Sequence, residues 1–175
     1  MIHLYESSNE FTIYLKNHIK YVKQCYFDIL RPYILKDFDA NTDIRCQEEI
    51  NSHDQSKYSD KEYYAYANIF SGTIDNGYDY AVLDHYHKNK HHWQYWCLVK
   101  DANTVIPLDM PIECIIAMLC DWHSFSVEDD SNTAEKWYKK SEKNMILSDN
   151  TKKIISKYLK YLNKPLVIEA GDNND

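Results

Sequence analysis

Apolar positions along the chain recur mostly at intervals of three and four, the spacing of one face of a helix. Phe11, Leu15, His18, Val22, Cys25 and Ile29 predict a first helix over about 9–30, with His18 inside its apolar stripe. A polar stretch around Asp37–Asp43 reads as a loop, extended over about 31–45, and a second helix should cover about 44–57. Ser59-Asp60-Lys61-Glu62 has the form of a capping box ahead of the apolar run Tyr63–Phe70. It predicts a helix that stops near Gly72, followed by a loop over residues 72–77. Another helix should start near Tyr78 and run to about His87 or beyond. Residues 97–109 read as irregular, with room for a short extended piece. Pro111 suits the first turn of a helix whose core stripe is Ile112, Ile115, Ile116, Leu119 and Trp122. Asn132 to Glu135 is a weaker cap for a helix to about 143, and a last helix covers about 149–163 before Pro165. The expectation is an all-α bundle in one domain, residues 1–165, with an acidic tail over 166–175.

Composition narrows the function. With 175 residues the chain can bury a sizeable core. Three glycines, none suitably spaced, exclude a Gly-rich dinucleotide or phosphate loop. A net charge of −7 argues against stable nucleic-acid binding, which needs a basic face. No apolar run is long enough for a membrane span, and the N-terminus lacks the features of a signal peptide. Five cysteines, an odd number without a CxxC pair, suit free thiols in a reducing cytoplasm.

The chemistry concentrates in histidine and aspartate, ligands that together suit first-row divalent metals. Four of the eight histidines, His85, His87, His91 and His92, fall within eight residues, and His53 adjoins Asp54. On a helix, Ile50, His53, Asp54 and Lys57 would share a face, with Lys57 one turn on, where it could neutralise a phosphate oxygen. If the helix continues, His85 and His92 share one face and His87 and His91 another. The plain alternative is a solvated basic face, or histidines packed on Trp93 and Trp96. Asp121 stands beside a core stripe and needs a partner, either a metal or a lysine at the helix edge. The small Cys114 and Ala117 behind it leave room for a site. His123, two positions on, points away. His18 alone would read as a core histidine.

In order, His18, His53-Asp54, His85 with His91-His92, and Asp121 resemble the HD-domain superfamily of metal-dependent phosphohydrolases. HIKYV (18–22) is similar to its first-helix motif, and HDQSK (53–57) to its HD pair with a trailing lysine. The likeness is closer to an HD-like family of bacterial and phage proteins whose own activity is not established. It is carried by HDQSKYSDKEY (53–63), GYDYAVLDHYHKNKHHWQYW (77–96), MPIECIIAMLCDW (110–122), EKWYKK (135–140) and LSDNTKKII (147–155). It covers about residues 15–160. That family tends to pair histidines where this chain has Asp84-His85, and to place a small residue at His87. His85 is therefore the ligand of that helix and His87 the doubtful one.

The resemblance implies a helical bundle with its metal site between helices. One divalent ion (Mn, Mg, Co or Fe) would be held by His18, His53, Asp54 and Asp121. A second would be held by His85 with His91 or His92, Asp54 bridging. The implied reaction is hydrolysis of a phosphate ester or anhydride, foremost of a nucleotide or signalling nucleotide. Asp54 and Lys57 would be catalytic, and Lys57, Lys88, Lys90 and Trp93 would bind substrate. Tyr86, Trp93 and Trp96 could stack a base. Two rivals stand beside it: a di-iron oxygenase on the same fold, and a module that binds a nucleotide without turning it over. The expected partner is a small phosphate compound, with no membrane, a cytoplasmic setting, and oligomeric state left open.

Overall fold

A computed structural model describes residues 2–70, 72, 76–101 and 103–167. Residues 73–75 of the expected 72–77 loop and 168–175 of the acidic tail lie outside the described residues, and Asn76 already opens the next helix. The chain forms an all-helical bundle with one small antiparallel hairpin. The first helix is longer than its stripe predicts. α1 (Ile2–Gln24) passes through six residues of π-type turn, Cys25–Leu30, directly into α2 (Arg31–Asp37). Only Phe38 and Asp39 separate α2 from α3 (Ala40–Asn51), so the extended loop expected over 31–45 is not present. Pro32 does not break the chain, because it falls in the first turn of α2, where no intrahelical N–H is needed. Asp39 then caps α3, its carboxylate accepting from Thr42 N at 2.9 Å.

α3 also stops sooner than expected. It ends at Asn51, before His53, and Gln55–Tyr58 form a 3-10 turn. α4 (Asp60–Phe70) and α5 (Asn76–Lys88) follow. α5 ends before His91, so the continuous helix through the histidine run is replaced by a turn and a 3-10 segment, Trp93–Trp96. β1 (Cys97–Lys100) pairs with β2 (Thr104–Pro107), Cys97 opposite Pro107. The bundle closes with α6 (Ile112–Ser124), α7 (Ala134–Ser141) and α8 (Asp149–Leu159). Thr133 and Ser148 cap the last two through their hydroxyls.

α6 is the centre of the molecule. Cys114 to Cys120 are all buried, because α1, α3, α7 and α8 pack around them. A helix apolar on every side belongs in a core. A second, smaller cluster joins α1 to α4 through Phe11, Leu15, Ile19 and Ala67. Three acids are buried among the described residues, Asp43, Asp54 and Glu62, and all lie outside both clusters. Asp43 accepts from Tyr26 Oη at 2.6 Å, from Arg31 Nε at 3.1 Å and from Gln47 Nε2 at 2.7 Å, tying α3 to the π turn and to α2.

Candidate metal centre

The turn after α3 places the His-Asp pair. Ser52 ends the helix, its N–H bonded to Glu48 O at 3.0 Å. Asp54 takes φ 56°, in the left-handed region. Aspartate tolerates that region better than most residues, though it still costs about 1–3 kcal/mol. The reversal lets His53 and Asp54, adjacent in the chain, face the same point, which the expected helix was meant to achieve.

Two groups of potential ligands result, His18, His53 and Asp121 in one and Asp54, His85, His91 and His92 in the other. Within each group the ligand atoms lie within 4.8 Å of one another. In the first, His18 Nε2 is 3.1 Å from Asp121 Oδ1 and 3.2 Å from His53 Nε2. Asp54 stands between the groups. Its Oδ2 is 3.4 Å from His18 Nε2 and 3.7 Å from His53 Nε2. Its Oδ1 is 3.2 Å from His85 Nε2 and 3.6 Å from His91 Nε2. α1, α5, α6 and two turns supply these side chains, which only the folded bundle brings together.

The donor atoms fit a cation. Asp54 Oδ1 and the Nε2 atoms of His85, His91 and His92 are all buried, and none has a hydrogen-bond partner. Each buried polar atom left unpaired costs about 1–3 kcal/mol. One anionic oxygen and three imidazole nitrogens converging in this way are the donor set of a divalent ion. These buried His and Asp groups could hold a metal.

The surroundings fix the tautomers. Ser124 donates its single hydroxyl proton to Asp121 O at 2.7 Å, so it accepts from His18 Nδ1–H at 3.1 Å. The lone pair of neutral His18 is thereby on Nε2, toward the carboxylates. Glu62, wholly buried, accepts from His85 Nδ1 at 2.8 Å and from Ser56 Oγ at 2.8 Å, which aims His85 Nε2 at Asp54. Asn89 holds the other side, donating to Ser56 Oγ and to His85 O.

Charge divides the site. Burial alone would lower His18, but hydrogen bonds to Asp121 and Asp54 raise it to about 9. Burial alone would raise Asp54. The charges of His53 and Lys57 instead hold it well below the carboxylate range. Asp121 is likewise held low, against burial, by His18 and His53. Burial pushes His91 far down and His92 to about 4, so both are neutral with free lone pairs at pH 7. Lys57 Nζ is 2.7 Å from Asp54 Oδ2, and that carboxylate keeps it protonated despite burial.

The remaining sequence candidates scatter. His87 is exposed, away from the ligands. Lys88 is bound to Asp84 and Glu62, and with Lys90 it lines a polar cavity of about 270 Å³ behind His53 and His91. Trp93 lines a second, aromatic cavity of about 190 Å³, into which His92 and Asp121 also face. Trp96 does not line it; its Nε1 donates to Lys90 O. His123 is buried and accepts from Ala134 N, outside both ligand groups. Sequence reasoning missed Glu62, Ser56, Asn89 and Ser124. Only Glu62 left a signal, since it shares a helix stripe with Tyr66 and Ile69.

Residues 7–161 match the Family of unknown function (DUF5662), and the chain belongs to that family. No curated protein and no solved structure matches it. Among the described residues no helix is long and apolar enough to cross a membrane.

Proposed function

We propose that the chain is a divalent-metal-dependent phosphohydrolase of the HD-domain kind, acting on a phosphate ester or anhydride. One observation carries this reading: the Asp54 carboxylate lies between two groups of donors, one oxygen toward each. His18, His53, Asp54 and Asp121 would hold one ion, and Asp54, His85, His91 and His92 the other. Such a pair, when bound, acidifies a water and clamps phosphoryl oxygens.

The chain's own residues do the rest. Lys57, the cation nearest the cluster, is held charged by Asp54 and meets the negative charge that builds on a phosphoryl group. Ser124 and Glu62 keep His18 and His85 in the tautomers whose Nε2 lone pairs face the site. Asp121, the least buried of the carboxylate ligands, borders the aromatic cavity and marks the side from which substrate arrives.

The test is elemental analysis of untagged protein beside Asp54→Asn, followed by a panel of phosphate esters. Asparagine tolerates the left-handed backbone at this position, so the variant keeps the turn. About two divalent ions per chain, lost in the variant, together with metal-dependent phosphate release, is the expected result. No bound metal after incubation with Mn²⁺, Co²⁺ and Fe²⁺ removes the proposal. The same donor set suits iron. Bound iron with substrate-dependent O₂ uptake and no phosphate release would replace hydrolysis with an oxygenase reaction.

A further inference from the structure

The aromatic cavity is the feature the metal centre does not explain. Tyr86, Trp93, Trp122, Phe125 and Trp137 line it, with Trp122 and Trp137 stacked at 5.2 Å and 10°. Its lining also includes Asp121 from one ligand group and His92 from the other. A molecule seated there therefore reaches both halves of the centre. Asp121 is the sole charged residue among the described lining, so the rest of the cavity suits an uncharged group. An apolar cavity of roughly 150 Å³ takes up a benzene ring, and this one measures about 190 Å³. It is also not uniformly apolar. Gln94 lines it, and Gln94 Oε1 is buried without a hydrogen-bond partner.

We infer that this cavity is the base subsite of a nucleoside phosphate. The base stacks among the aromatic rings, its N–H edge meets the Gln94 amide, and the phosphate points to His92 and Asp121. The inference rests on the proposed phosphohydrolase for the fate of the phosphate, but not for the seating of the base. It requires planarity and a hydrogen-bonding edge, which a sugar phosphate or pyrophosphate lacks. It also gives the metal a part in selection. Asp121 repels a phosphate until its charge is neutralised, so an uncharged nucleoside binds with or without metal and a nucleoside monophosphate only with it.

The test is calorimetric titration of the full chain, stripped of metal, with adenosine, uridine and ribose 5-phosphate. Binding of a nucleoside but not of ribose 5-phosphate is expected. Stacking on one aromatic side chain changes affinity by about 5- to 150-fold on alanine substitution, and Trp137→Ala should weaken nucleoside binding within that range. Gln94→Leu, which leaves the rings in place, should weaken it too, and Trp96→Phe should not. If Trp137→Ala fails to fold, Gln94→Leu decides alone. Failure of both nucleosides to bind, or affinities within about twofold of the parent in the folded cavity variants, overturns the inference. Phosphate release from glycerol phosphate without nucleoside binding would remove the base subsite and keep the hydrolase. Nucleoside binding with no hydrolysis of any ester would do the reverse.

Discussion

Glu62 is an acid with no exposed surface, and each of its oxygens has a partner. Oε2 meets His85 and Ser56, and Oε1 lies 3.4 Å from Lys88. A histidine that ligates a metal commonly donates its other N–H to such a carboxylate, and loss of that partner lowers metal affinity about 10- to 100-fold. Glu62→Gln keeps the shape and removes the charge. Competition titration with a chelator should then show one of two ions weakened by about that factor and the other unchanged. Equal affinities in parent and variant would leave Glu62 a packing residue. The case also shows what a local motif conceals. Ser59 and Glu62 satisfy the spacing of a capping box, and a helix does begin there, but the Glu62 side chain turns inward to a histidine in the next helix. Spacing predicts where a helix starts. It does not predict which of two acceptable partners an acid will take.

At the scale of elements, the stripes of α1 and α6 were readable because a buried face repeats over several turns. The turns were not. The reversal at Asp54 depends on one residue at positive φ, and the end of α5 on a single Asn89 folded back on His85 O. Neither leaves a periodic trace, yet those turns hold His53, Asp54, His91 and His92. The junction of α2 and α3 was misread for a related reason. Its polar residues suggested a loop, but Asp43 is polar and buried, held by Tyr26, Arg31 and Gln47. Burial alone would raise that carboxyl, and the Arg31 and Tyr26 hydrogen bonds outweigh it, so its folded pKa lies below the ordinary value. Stability from this group is therefore complete above the unfolded carboxyl pKa, near 4, and is lost as pH falls through the lower folded value. Acid unfolding followed by circular dichroism should show that loss in the parent. Asp43→Asn should be less stable at neutral pH and should converge on the parent in acid. A constant gap between the two curves down to pH 2 would deny the linkage. In the same bundle, Ile115 on α6 is fully buried, and Ile115→Ala should cost about 2–5 kcal/mol in urea unfolding.

For the molecule as a whole, the candidate centre is a cross-link as much as a site. α1, the turn after α3, α5, the turn beyond it and α6 each place at least one ligand there. Without a cation, Asp54 Oδ1 and three imidazole nitrogens stay buried and unpaired, at the point where these five segments meet. The unfolded chain cannot assemble such a set, so a metal that binds it stabilises the native state alone. At a free concentration a hundred times Kd, one site adds about 2.7 kcal/mol. In a domain of this size each kcal/mol raises Tm by about 2–4 °C, so a rise of about 5–11 °C per filled site is expected. Differential scanning fluorimetry with a chelator and then with Mn²⁺ or Co²⁺ reads that shift directly. Asp54→Asn should flatten it, since one oxygen of that carboxylate faces each group. Glu62→Gln should lower it by about a quarter to two-fifths at the same metal concentration, because a 10- to 100-fold weaker site at His85 would still add about 0.4–1.4 kcal/mol. A Tm indifferent to metal in the parent would mean that the convergence of these segments is packing, and that their histidines serve the core rather than a cation.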